Sequence, residues 1–212
     1  MTLDQIQIVV MRYNEPACEE LSRWLAHTGM DWRYGVSDYE IDVARNKNIQ
    51  RFLKDDVPKG KTHLLSLNHD MVPLPETTPI LTLDGDLLYC ASSSSRGSIE
   101  HLGDKQFSSA CWRASEKLLS SFGPPWFRVG HSGDITERTY CDCMFFKDRA
   151  QEVGFDAQMV GIIGHKVSVI VFPDPESPQD KYKFLWEADL DYDKLLEPPP
   201  DAPVPEELKG MV

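Results

Sequence analysis

The sequence predicts an α/β domain on a mostly parallel sheet flanked by helices on both faces. Two observations carry that expectation. Short apolar, β-branched runs alternate with stretches in which apolar residues recur at helical spacing, and Gly, Pro, Asn and Asp punctuate the joins. The length of 212 residues suits one well-buried core and leaves little room for a second domain.

Residues 5–11 (QIQIVVM) read as a buried first strand that stops at Arg12-Tyr13-Asn14-Glu15-Pro16. Asn14 fits an N-cap with Pro16 in the first turn, and Ala17, Leu21, Trp24 and Leu25 then follow helical spacing up to Gly29. Residues 32–36 fit a second strand. Residues 41–53 fit a helix with Ala44, Ile49, Phe52 and Leu53 on its inner side, broken by Asp55 to Gly60. Residues 62–67 (THLLSL) form the next expected strand and run straight into Asn68-His69-Asp70. Residues 86–91 predict a further strand, followed by a polar loop from Ser92 to Gly97. Helices are expected over 107–122 and 139–153, the latter stopped by Gly154, with two short apolar stretches over 160–171.

Composition divides the chain into a domain over 1–172 and an extended, acidic, Pro-rich arm over 173–212. The formal charge is −12 overall; the arm holds 11 Asp/Glu against 4 Lys/Arg, and eight of the fifteen prolines. The body is therefore only mildly acidic, and general attraction to nucleic acid or an anionic membrane is not expected. Phe184, Leu185 and Trp186 are apolar enough to dock part of the arm. No apolar run approaches the roughly 20 residues of a membrane span, and Met1-Thr2-Leu3-Asp4 lacks a signal-peptide pattern. Five scattered cysteines (18, 90, 111, 141 and 143) predict reduced thiols in a cytoplasm. Cys141-x-Cys143 with His131 or His165 is a weak zinc pattern, because paired ligands usually stand two to four residues apart.

In parallel sheets ligands bind beyond the carboxyl ends of strands, where Arg12 to Asn14 and Asn68 to Asp70 are both expected. An apolar strand has no packing use for Asn-His-Asp. The oxygens of Asn68 and Asp70 suit hard Mg²⁺ or Mn²⁺, which also accepts diphosphate oxygens and water. A turn in which Asp70 merely caps the next loop is the plain alternative.

The stretch Asn68-His69-Asp70 resembles the DxD region of GT-A (Rossmann-like) glycosyltransferases, with Asn68 in place of the first Asp. Ile41-Asp42-Val43-Ala44-Arg45-Asn46, then Phe52-Leu53, is similar to the "aRN…fl" helix of these enzymes. The run from Asp142 to Phe155 is similar to their "ED…F…RA.E.GF" helix, and Gly164-His165 to their late "GH". The four motifs, in the family's order, span roughly residues 5–171.

That resemblance implies a small, family-2-like transferase of phage or bacterial type. Such an enzyme moves a sugar from a nucleoside-diphosphate sugar to an acceptor hydroxyl, with inversion. It implies Mn²⁺ or Mg²⁺ held by Asn68, Asp70 and His165, donor contacts from Arg12, Asn14, Arg45, Asn46 and Asn68, and Asp142 as general base, with Asp134 and Glu137 in reserve. The acceptor is open among a glycan, a protein, a small molecule and a modified DNA base. The expected location is the cytoplasm, the host's if the chain is viral. Each residue also has a structural reading: a helix-start carboxylate for Asp142, a satisfied core histidine for His165, a solvated helix face for Arg45 and Asn46. Trp112 and Trp126 fit core filling better than sugar stacking. Asn68 and Cys143 depart from the family pattern and favour the alternative: a sugar-nucleotide- or protein-binding module of the same fold without transfer.

Overall fold

The computed structural model describes residues 1–12, 15–38, 40–92, 107–131, 138–140, 142–166, 170–173 and 182–185. The first strand, β1 (Ile6–Met11), is buried at all six positions and divides its side chains between the two sheet faces. Ile6, Ile8 and Val10 pack with Leu21, Trp24 and Leu25 of α1 (Glu19–Thr28). Val9 and Met11 pack on the other face with Ala44 and Ile49 of α2 (Ile41–Arg51). Burial on both faces is why this strand reads as an unbroken apolar run.

β2 (Trp32–Tyr34) and β3 (His63–Asn68) flank β1, both parallel to it. β4 (Met71–Pro73) follows after a two-residue turn, and α3 (Pro79–Thr82) and β5 (Leu87–Ser92) come next. β6 (Cys111–Ser115) leads directly into α4 (Glu116–Ser121), whose N-cap Ser115 accepts from Leu118 N. β7 (Gly130–His131) and β8 (Arg138–Tyr140) form a separate ribbon. α5 (Asp142–Glu152), β9 (Gln158–Lys166), β10 (Ile170–Pro173) and β11 (Tyr182–Leu185) complete the order. The main sheet runs β11-β10-β9-β5-β6-β3-β1-β2, with β4 pairing off this path onto β9. Helices α1 and α3 cover one face; α2, α4 and α5 cover the other.

The sheet is mixed, which corrects the mostly parallel expectation. Only β1–β2, β1–β3 and β5–β9 are parallel among the described pairings. At the centre of the sheet the reversal comes from β6, which lies between β3 and β5 and runs against both. β4, β10 and β11 add antiparallel pairs around β9. β6 occupies the first half of the expected 107–122 helix. All five of its residues are buried, and a short run buried on both sides carries no period that separates strand from helix. Its Trp112 joins Phe107, Phe127 and Phe146 in an aromatic cluster, with Phe127 and Phe146 stacked at 4.5 Å. A second correction concerns α1, whose N-cap is Cys18 rather than Asn14, so Pro16 precedes the helix. α5 begins at Asp142, and residues 138–140 are strand. α1 does end at Gly29, in the left-handed turn expected of it (φ 62°). The Ser93 to Gly97 part of the polar loop, Asn14, Asp134, Glu137, Cys141 and Trp186 lie outside the described residues.

Strand β9 packs so closely on the turn at Glu76 that only glycine fits at Gly161. A Cβ there would lie 1.9 Å from the Glu76 carbonyl oxygen, a backbone atom that cannot swing away. Gly161→Ala is expected to destabilise the fold by roughly 2–3 kcal/mol through forced backbone displacement, measured by urea unfolding.

His63 opens β3, and burial, then the nearby Arg113 charge, lowers its pKa from 6.5 to about 4. The unfolded chain takes up this proton at higher pH than the folded one. The contribution to stability is therefore complete above about pH 6.5 and lost as pH falls toward 4. His63→Gln should flatten that stretch of the stability–pH curve by on the order of 2 kcal/mol, read from chemical denaturation at pH 7 and pH 4.

Candidate active site

The carboxyl end of β3 is a pinned turn. Asn68, the last residue of β3, pairs with Met11 at the end of β1. His69 N donates to Met11 O at 2.9 Å, and Cys18 N, at the start of α1, donates to His69 O at 2.8 Å. Cys18 Sγ donates to Met71 O at 3.3 Å. From the far side of the sheet Lys166 N donates to Asp70 O at 2.7 Å, and His165 stands opposite Met71 across the β4–β9 ladder. The turn thus hangs between three elements, and its backbone polar groups are satisfied by all of them.

This pinning brings Asp70 and His165 together, 95 residues apart in sequence, with His165 Nε2 2.8 Å from Asp70 Oδ2. Burial alone would raise the Asp70 carboxyl, but the hydrogen bond and charge of His165, helped by His69, hold its pKa below the usual value. Its second oxygen, Oδ1, is buried without a hydrogen-bond partner, and so is Asn68 Oδ1. Buried oxygens left unpaired cost about 1–3 kcal/mol each unless something takes their lone pairs. His69 turns to Glu15, with Nε2 3.3 Å from Oε2.

These residues fit a hard divalent cation. Among the described residues no group of three or more His, Cys, Asp and Glu side chains could hold a metal. The set is thus two such side chains plus the Asn68 amide. Such an open set leaves positions for substrate oxygens and water, as Mg²⁺ and Mn²⁺ require, and does not make the closed four-ligand shell of structural zinc.

The other expected donor residues have their own occupations. Arg12, exposed just beyond β1, lies with its guanidinium 4.5 Å from the Tyr34 ring centre. On α2, Asn46 clasps the 126–127 segment: Oδ1 accepts from Trp126 N at 2.8 Å and Phe127 N at 3.0 Å, and Nδ2 donates to Phe127 O at 2.7 Å. Asp42 Oδ2 accepts from Val129 N at 3.0 Å, and Asn48 Oδ1 from Val36 N at 2.9 Å. Arg45 forms a buried ion pair with Asp142, both side chains 3% exposed. Its Nη2 donates to Ser109 O at 3.2 Å, and its guanidinium lies 5.2 Å from the Phe127 ring centre. Sequence reasoning missed this clasp, although Asp42, Arg45, Asn46 and Asn48 along one helix with little apolar content were its signal.

Cys18, Cys90 and Cys111 are free thiols, and burial pushes Cys18 up to about 12. Cys143, by contrast, is disulfide-bonded. That corrects the expectation of reduced thiols throughout, which rested on spacing and count and not on which sulfurs the fold brings within bonding reach. Trp112 and Trp126 are 1% and 3% exposed and belong to the core; Trp126 Nε1 donates to Leu119 O at 2.9 Å.

Arg45 and Asp142 lock helix α2 to helix α5, so removing either one takes the ion-pair partner away from a buried charge. Asp142→Asn and Arg45→Met are each expected to cost about 3–5 kcal/mol, with much of the loss recovered in the Arg45→Met/Asp142→Leu double variant. A double-mutant cycle by thermal or urea unfolding measures the coupling.

No family model matches the chain, and no curated protein matches its sequence. Solved structures do match. A197 from STIV is 10% identical, with 85% of this chain and 93% of that one covered at a TM-score of 0.57. A glycosyltransferase involved in glycosylation of the major capsid of PBCV-1 is 12% identical, covering 73% of this chain and 80% of that one at 0.44. A mutant of Drosophila β-1,4-galactosyltransferase 7 complexed with manganese, UDP-Gal and xylobiose is 10% identical, covering 73% and 64% at 0.47. The likeness to A197 shows a shared α/β fold, and at 10% identity it shows the fold alone. Among the described residues no helix is long and apolar enough to cross a membrane.

Proposed function

We propose that this chain is a GT-A-type glycosyltransferase that moves a sugar, with inversion, from a nucleoside-diphosphate sugar to an acceptor hydroxyl. The reading rests on one observation above the others: Asp70 and His165, from motifs far apart in sequence, meet at 2.8 Å beside two orphaned buried oxygens. Asn68, Asp70 and His165 hold Mn²⁺ or Mg²⁺ in this reading. The ion, when bound, offsets the charge that grows on the leaving nucleoside diphosphate.

The chain's own residues do the rest. Arg12, exposed at the strand end, offers a cation and the rim of an aromatic ring to the nucleotide, and Asn14 follows it in sequence. Arg45 holds α5 and Asn46 holds residues 126 and 127, and in this reading they reach the donor only by exchanging those partners. Asp142 accepts the proton of the attacking hydroxyl once its pair with Arg45 opens to the acceptor. The three free thiols fit a cytoplasmic setting, and the disulfide at Cys143 is the feature that setting does not explain.

The burial of Asp142 against Arg45 favours a second reading, a module that binds a sugar nucleotide or a protein without transferring sugar. A panel of nucleotide sugars incubated with the chain and Mn²⁺ separates the two. A transferase releases nucleoside diphosphate, and Asp70→Ala is expected to lower that release at least about 100-fold while the melting curve stays cooperative. Donor binding with no release in any arm supports the second reading, and full activity in Asp70→Ala removes the ligand role of Asp70.

A further inference from the structure

Beside the proposed ligands lies an ion pair that neither sequence motif nor proposed chemistry uses. Glu20, in the first turn of α1, is 2% exposed at its side chain, and Lys166 Nζ reaches its Oε1 at 2.6 Å. A carboxylate that deep is costly without a compensating charge. Lys166 overcomes the burial that would otherwise raise the Glu20 pKa and holds it below the ordinary value.

Lys166 is also the residue after His165 and the last of β9, and its backbone N–H holds Asp70 O at 2.7 Å. Because Lys166 directly follows His165, a Lys166 side chain drawn onto α1 anchors the end of the strand that carries the His165 ring. The same helix fixes the facing turn, because Cys18, its N-cap, bonds both His69 O and Met71 O. One rigid element therefore grips the two segments that must meet.

We infer that the Glu20–Lys166 ion pair is a positioning device that sets His165 against Asp70. Neither residue touches substrate; both act through the end of β9. The inference deepens the proposed function, since a donor site at Asp70 and His165 depends on the register that this pair holds.

The test is made on the full-length, ¹⁵N-labelled chain by NMR of the imidazole ring of His165, identified by its absence in His165→Gln. The wild-type ring is expected to show a hydrogen-bonded Nε2. Lys166→Met and Glu20→Gln should each move it toward the free-imidazole position while far-UV circular dichroism stays native, and Lys166→Arg should restore it. An unmoved ring in both folded variants overturns the inference; if Lys166→Met does not fold, Glu20→Gln decides by the same criterion. Titration with Mn²⁺ separates this question from the metal reading. No broadening of the wild-type ring rejects the metal site and leaves the positioning role to be judged by the ring shift. Where broadening occurs, Lys166→Met should need at least about tenfold more Mn²⁺, the usual effect of losing support behind a ligand, and an unchanged requirement overturns the inference.

Discussion

Two strands from opposite ends of the chain have to arrive at one turn, and the contact between Asp70 and His165 is where they do so. β3 reaches the turn from the first half of the sequence, and β9 reaches it from the last third. Their meeting depends on β4, a three-residue strand that leaves the main sheet order and pairs with β9 directly. Without that detour Asp70 would project from the sheet with no histidine to meet it. The rest of the site follows: Cys18 and Lys166 bond the same turn, which carries the buried, unpartnered oxygens of Asn68 and Asp70.

Helix α2 shows how one set of residues can read two ways. An arginine and an asparagine side by side on a helix suit phosphate and sugar oxygens, and they suit backbone carbonyls and amides equally well. What decides is whether a polar loop or open space lies in front of them. Here the 126–129 segment and the first turn of α5 lie there, and both the amide oxygen and the amide nitrogen of Asn46 find backbone partners, while Asp42 takes Val129 N. Arg113 makes the same point on β6, where the fully buried guanidinium donates to Ile80 O at 2.5 Å and also to Leu83 O, closing the end of α3.

Much of the fold was legible in the sequence. The runs at 5–11 and 62–67, the helix closed by Gly29 and the polar turn at Asn68 all stand where local pattern put them, because each is governed by burial or by backbone freedom within a few residues. Strand direction was not legible. Nothing within residues 107–115 tells that they run back between β3 and β5, since that follows from which edge is vacant when they arrive. The same limit applied to the site: the pairing of Asp70 with His165 agrees with the order of the motifs, whereas the partner of Asp142 is 97 residues upstream and is fixed only by helix packing.

β9 is a crossroads. Its early part lies along β5, its later part along β4, and beyond His165 it also pairs with β10. Closing a loop between β3 and β9 joins residues nearly half the chain apart, an entropic cost met only after the intervening strands have assembled. During synthesis the segment bearing His165 leaves the ribosome long after the turn that it must complete. Competence at this corner is thus a property of the finished molecule, and a nascent chain exposes Asp70 with nothing yet to grip alongside it.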